Sequence, residues 1–269
     1  MGQSLKKPVK NGINGVAETS KKSNEETYLK SLSVLEAHRF IQGRKFCLAQ
    51  NASLALPRDN EEAMRINKVT KLIKVLFGSN YSAPVTEFLT CGGAKILEIG
   101  TGGGLWLSEM SIEYPMSIFL GLDITTIFNP MYRVLQPGGW MEIHGTPSEI
   151  IGAGPATRRF MLAVRQCLQI NGHNPDIVRT IPEKLRSLNV KNIQVVEKPL
   201  LLSRNGAPDE QIDDELLLRT VEAFRVIMKV AIGCTDEEYD ELKRNVGLEA
   251  ETTKMHIMVI RTFGQKDAE

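Results

Sequence analysis

The residues best suited to chemistry in this chain are small ones. Gly100, Gly102, Gly103 and Gly104 follow an apolar run, with Glu98 just before them and Asp123 at the end of a second apolar run. Glycines let the backbone turn sharply and let a ligand approach main-chain N–H groups. A helix starting after such a turn aims its positive end at the same place. An acid at the tip of the neighbouring strand can accept hydrogen bonds from both hydroxyls of a ribose. Together these residues have the chemistry of a nucleotide site. Elsewhere the candidates are fewer. His144 stands at the carboxyl end of a predicted strand, where it could act as a general base near neutral pH; a loop histidine at a strand end is the plainer reading. Cys47, Cys91, Cys167 and Cys234 form no C-x-x-C, and the four histidines are scattered, so no metal site is indicated. No catalytic residue is identified.

The elements that must position these groups are legible. Residues 95–99 read as a buried parallel strand, with glycines on both sides. Residues 105–114 read as a helix that Pro115 stops. Residues 116–122 read as a second strand. The unit is strand, glycine turn, helix, strand, acid. A dinucleotide fingerprint, G-x-G-x-x-G/A, would need a small residue where Leu105 stands. This counts against a nicotinamide dehydrogenase.

Glu98, Gly100, Gly102 and Gly104 instead spell E-x-G-x-G-x-G, which resembles motif I of class I S-adenosylmethionine-dependent methyltransferases. Three further stretches, H-R-F-I-Q-G-R-K-F at 38–46, L-P-R-D-N-E-E at 56–62 and F-G-S-N-Y-S-A-P-V at 77–85, look like the lead-in of fungal methyltransferase-domain proteins. The resemblance implies S-adenosyl-L-methionine as cofactor, held by Glu98, Gly100, Thr101, Gly102, Gly104, Asp123 and Ile124. Glu98 would serve the ammonium group and Asp123 the ribose. It also adds Tyr81 as a cleft-lining residue, against the plainer reading of a packing tyrosine. Helices ahead of the first strand would pack over the cleft.

The order of elements continues the resemblance, with one interruption. R-V-L-Q-P-G-G-W at 133–140 matches the segment before the family's fifth strand, with Gln136 in place of a basic residue. Only the twelve residues 125–136 lie between Ile124 and Pro137 of that landmark. Two further βα units would need on the order of 50–60 residues, since one βαβ unit takes about 30. The family's third and fourth strands therefore have no counterpart, and the walls they give to adenine and methyl acceptor are missing.

Outside this core, residues 26–40 and 61–77 read as helices, with 41–57 as a less regular connection and 83–89 as a short helix. After a strand at 139–144 come helices at 155–170 and 181–188, a strand at 192–200, a long helix at 209–232, a capping box at Thr235–Glu238 opening a helix to about Asn245, and a last strand at 254–262.

Composition bounds the rest. The chain has 269 residues, 42% of them apolar, enough for one α/β domain with a substantial core. Thirty-three basic and 32 acidic side chains nearly cancel, so charge does not point to nucleic acid or an anionic membrane. No apolar run is long enough to span a bilayer. Unpaired cysteines and no secretory leader predict a cytoplasmic protein. Residues 1–25 are Lys-, Ser-, Asn- and Gly-rich and predict a disordered tail; Met1-Gly2-Gln3-Ser4-Leu5-Lys6 only half-resembles a myristoylation signal.

The expected fold is a reduced Rossmann-like class I methyltransferase sheet. In the family's strand numbering its order is 2-1-5-7-6, with the last strand antiparallel and helices at the N-terminus. Residues 26–269 form one domain, divided into a helical lead-in (26–93), a cofactor-binding half (94–124) and a C-terminal half (131–266). Two functions stay open: a methyltransferase acting on an unknown small-molecule or protein acceptor, and a non-catalytic binding or interaction protein, or truncated splice product, of the same descent.

Overall fold

The computed structural model describes residues 38–47, 56–122, 128–170, 172–202 and 212–268. The predicted tail at 1–25, the lipidation signal, most of the helix predicted for 26–40, and Asp123 and Ile124 lie outside them.

The described chain opens with a hairpin, β1 (His38–Ile41) and β2 (Arg44–Cys47), paired antiparallel. This corrects two expectations. The helix predicted to run to Phe40 cannot do so, and the connection predicted from Ile41 is partly a strand. The reason is turn chemistry: Gln42 and Gly43 both take positive φ, the geometry of a two-residue hairpin turn. Helix α1 (Asn60–Phe77) follows, capped by the Asp59 side chain on the Glu62 N–H and ended by Gly78 in the left-handed region. A short α2 (Thr86–Cys91) leads into β3 (Lys95–Ile99), α3 (Leu105–Glu113) and β4 (Ile118–Leu122). β3 and β4 pair in parallel, Glu98 beside Gly121 and Ile99 beside Leu122.

Among the described residues the interrupted centre contains one short helix, α4 (Phe128–Val134), before β5 (Trp140–Gly145). Then come α5 (Pro155–Ile170), α6 (Ile177–Ser187) and β6 (Lys191–Leu201). The predicted long helix at 209–232 is two: α7 (Asp214–Ala223) and α8 (Arg225–Ile232), broken at Phe224. The Phe224 ring packs edge-on against Phe160 of α5. Next to it, Arg225 pairs with Glu222, Asp236 and Asp240 and covers the Tyr239 ring. Both contacts lie at the break between the two helices. Helix α9 (Asp236–Thr252) starts on the predicted capping box but runs past the predicted end near Asn245. β7 (His256–Gln265) closes the fold.

β7 lies between β5 and β6, antiparallel to both. The two expected halves of the strand order, 2-1 and 5-7-6, are thus present. Their junction is not: among the described residues β3 pairs with β4 alone, and the expected continuous sheet is two separate ones. A helix takes the place of the missing strands as the bridge. α1 packs Ile73 against Leu200 and Val259 on the C-terminal sheet, while Ile66 and Asn67 reach the glycine turn of the N-terminal unit. α4 stays with the C-terminal sheet, its Met131 and Tyr132 against the cluster of Met141, Ile181, Leu185 and Ile260. The largest core lies among α5, α7, α8 and α9, around Phe160, Leu217, Met228, Tyr239 and Met255. The architecture is mixed α/β, built of small sheets and helices.

Candidate functional site

The site begins where β3 ends. Gly100 donates its N–H to the Leu122 carbonyl at 2.6 Å, so the turn leaves β3 in register with β4. The chain then reverses through Thr101–Gly104 and enters α3, the Ser108 N–H returning to the Gly104 carbonyl. Gly100 and Gly104 take φ of 81° and 73°, values that L side chains rarely adopt. A Cβ on either would meet nothing within 4 Å, so the backbone there faces open space. Gly102 and Gly103 face the other way. A Cβ on Gly103 would stand 2.1 Å from Asn67 Oδ1, and one on Gly102 3.0 Å from Ile66. The turn is therefore backed by α1 on one side and open on the other. Thr101 packs over Gly121, whose missing Cβ gives room for the Thr101 methyl.

Glu98 lies on the same face of the sheet as Ile96, half-buried beside the turn. Its Oε2 is buried and has no hydrogen-bond partner, and neither does Asn67 Oδ1. Two unsatisfied acceptors thus lie at one glycine turn. Burial without a compensating donor penalises the carboxylate and pushes the Glu98 pKa up to about 6. An ammonium or hydroxyl donor arriving there would satisfy what the protein leaves open. Of the predicted residues, Glu98 ends up on β3 beside the turn, Gly100 and Gly104 line its open side, Thr101 packs over Gly121, and Gly102 faces Ile66 of α1. Asp123 and Ile124 lie outside the described residues; the register carries β4 to Leu122, beside the start of the turn.

Two other predicted candidates lie elsewhere. Tyr81 lines a hollow of about 430 Å³ with Lys74, Asn80, Ser82, Thr86 and Glu113. Its hydroxyl bonds to Tyr114 Oη at 2.8 Å and Thr86 Oγ1 at 3.0 Å, and its ring packs with Leu89, Met110 and Tyr114. His144 lies on β5 opposite Arg261 of β7 and reaches solvent. The protein mass around it, and then the Arg261 charge, hold its pKa below the usual imidazole value. Among the described residues no group of three or more His, Cys, Asp or Glu could hold a metal ion.

Sequence reasoning missed the partners supplied by α1. Asn67 stands in an otherwise regular amphipathic pattern, and an amide beside an apolar stripe was the available signal. It also missed the joint behind the site. Arg261, buried at 3% exposure in the middle of β7, donates to Ser79 O and Ser82 Oγ and stacks on Phe77. Glu142 of β5, 3.6 Å from the guanidinium, accepts from the Ser82 and Ala83 N–H groups at 2.7 Å each. A lone arginine inside I-M-V-I-R-T-F was its only trace in sequence.

No family model matches the chain. Among characterised proteins, it is similar to the secondary metabolism regulator laeA of Coprinopsis cinerea. The two are 27% identical over 88 residues, which is 32% of this chain and 22% of that protein, so the match spans about a fifth of the relative's length. Among solved structures, YjhP from E. coli is 13% identical, with 73% of this chain and 96% of that one covered and a TM-score of 0.31, too low a likeness to carry an argument. No helix among the described residues is long and apolar enough to cross a membrane.

Proposed function

We propose that the chain is a methyltransferase-like protein whose glycine turn binds S-adenosyl-L-methionine. One observation carries this reading: the unsatisfied, half-buried carboxylate of Glu98 beside a turn whose Gly100 and Gly104 face open space. The residues present fit the cofactor. Glu98 offers an acceptor to its ammonium group, Gly100 and Gly104 admit it close to the backbone, and Asp123 would take the ribose hydroxyls, as the resemblance implies. The bound cofactor would supply an electrophilic methyl group. The protein's own part is to bind and orient it; ionised Glu98 holds a cation, and α1 backs the turn.

A second reading is a non-catalytic, cofactor-sensing or regulatory protein. It is favoured by the short centre, where among the described residues α4 alone separates β4 from β5. Methyl transfer requires two reactants held in line, and no described segment there adds walls for adenine or acceptor. The regulator named as a relative accords with this reading, and a cytoplasmic location is proposed with it.

Calorimetric titration with S-adenosyl-L-methionine, and NAD as comparison, tests both. Binding of the first alone, weakened about tenfold or more in Asp123→Ala and Glu98→Gln, is the expected result for a charge-assisted contact. Binding of neither rejects the cofactor assignment. Binding without methylation of any acceptor in a radiolabelled extract assay favours the second reading.

A further inference from the structure

Among the described residues, the β3–β4 sheet is covered on one side only. Ile96 and Phe119 pack with Leu89, Met110 and Tyr114 under α2 and α3. The opposite face presents Lys95, Leu97, Ile118, Leu120 and Leu122, all exposed, with Ile118 at 61% and Leu120 at 58%. The register sets Lys95 beside Ile118 and Leu97 beside Leu120, so these side chains form one contiguous surface. Parallel sheets are ordinarily buried on both faces. A monomer seldom leaves a contiguous apolar patch of more than a few hundred Å² bare.

We propose that this face is a self-association surface, on which a second copy of the chain packs sheet to sheet. Its chemistry selects that occupant. The face is aliphatic, with Lys95 as its one charge and no acid, so it offers little to a charged partner. A two-fold axis over the middle of the face lets Leu97 and Leu120 meet their own counterparts. The area is small: four aliphatic side chains 39–61% exposed make a footprint of a few hundred Å² per copy, below the ~1,200 Å² total of a stable interface and in the range of transient ones. The dimer is therefore weak and reversible, and it leaves the open side of the glycine turn free, because Glu98 lies on the opposite face of β3.

Sedimentation velocity of the full chain, from micromolar concentration upward, tests this. The expected result is concentration-dependent dimerisation, weakened about tenfold or more by Leu120→Lys, as for loss of a central interface contact. Val230→Lys, at an exposed position on α8, should leave it unchanged. Hydrogen exchange of the wild type gives a readout independent of any variant: amides of β3 and β4 should gain protection as concentration rises, and those of β6 should not. A wild type that stays monomeric overturns the proposal, whether the face is then bare or taken by another protein. Dimerisation that Leu120→Lys leaves intact, or protection gained elsewhere, overturns it as well.

Discussion

Glu98 is where a single ionisation links stability to binding. Its folded pKa of about 6 lies above the ordinary 4.5 because burial disfavours the charged form. Below pH 4.5 the carboxyl is protonated in both folded and unfolded chains, and no penalty arises. As pH rises through 6, the folded chain releases a proton later than the unfolded one, and stability falls. Glu98→Gln should therefore be more stable than the wild type at pH 8 by about 1 kcal/mol, a figure discounted for partial exposure, and indistinguishable near pH 4. Urea unfolding at the two pH values measures this. Ligand binding should show the reverse preference. Affinity for S-adenosyl-L-methionine rises between pH 5 and 7 as Glu98 ionises, and the profile is flat in Glu98→Gln. At this scale the sequence was informative, since the order Glu, Gly, Gly, Gly carries its own backbone demands. The missing hydrogen-bond partners were not legible, because they depend on what α1 brings to the turn.

The elements are joined by two polar contacts that local sequence does not announce. In one, Glu142 and Arg261 clamp the segment Ser79–Ala83 onto the C-terminal sheet. Glu142→Ala should cost about 3 kcal/mol, because it frees two N–H groups and leaves a buried guanidinium without its carboxylate. Arg261→Met combined with Glu142→Gln should cost less than the sum of the single changes, and a double-mutant cycle by denaturant unfolding checks this. The other contact is Glu249 of α9, which accepts from the Ala156 and Thr157 N–H groups and so caps α5 from a separate helix. Glu249→Ala should lower stability by about 1–2 kcal/mol, the usual cost of a lost cap. Helix and strand periods placed most elements correctly, among them α5 and β3. They failed at Phe224, where tertiary packing breaks a continuous apolar stripe, and at Gly247. There the helix continues because the glycine lies against Leu218 of α7.

Across the whole molecule the two sheets are unequally protected. β7 has a neighbour on each side and residues such as Val259, Ile260 and Phe263 almost wholly buried. Among the described residues β4 has one neighbour and one bare face. A two-stranded sheet with single-sided cover has little stability of its own, so the 95–122 unit should open before the rest. Native-state hydrogen exchange at low protein concentration should find amides of β4 exchanging at least tenfold faster than those of β7, consistent with local opening of the less buried unit. The same comparison at high concentration reports on the self-association surface.

The sequence alone determined the local unit: an apolar strand, a glycine turn that other residues would strain, a helix stopped by Pro115, and a second strand. It also determined that the centre is too short for two more βα units, a matter of chain length. The tertiary structure decided how the two halves are held. Periodicity located the strands and the family resemblance implied the orders 2-1 and 5-7-6, but whether they join in one sheet depends on which edges and faces meet. That is fixed by long-range packing, here by α1 wedged between Leu200 and Val259 on one side and Gly103 on the other. Side chains distant in sequence can leave an acceptor unpaired or a sheet face bare only once they are brought together in space.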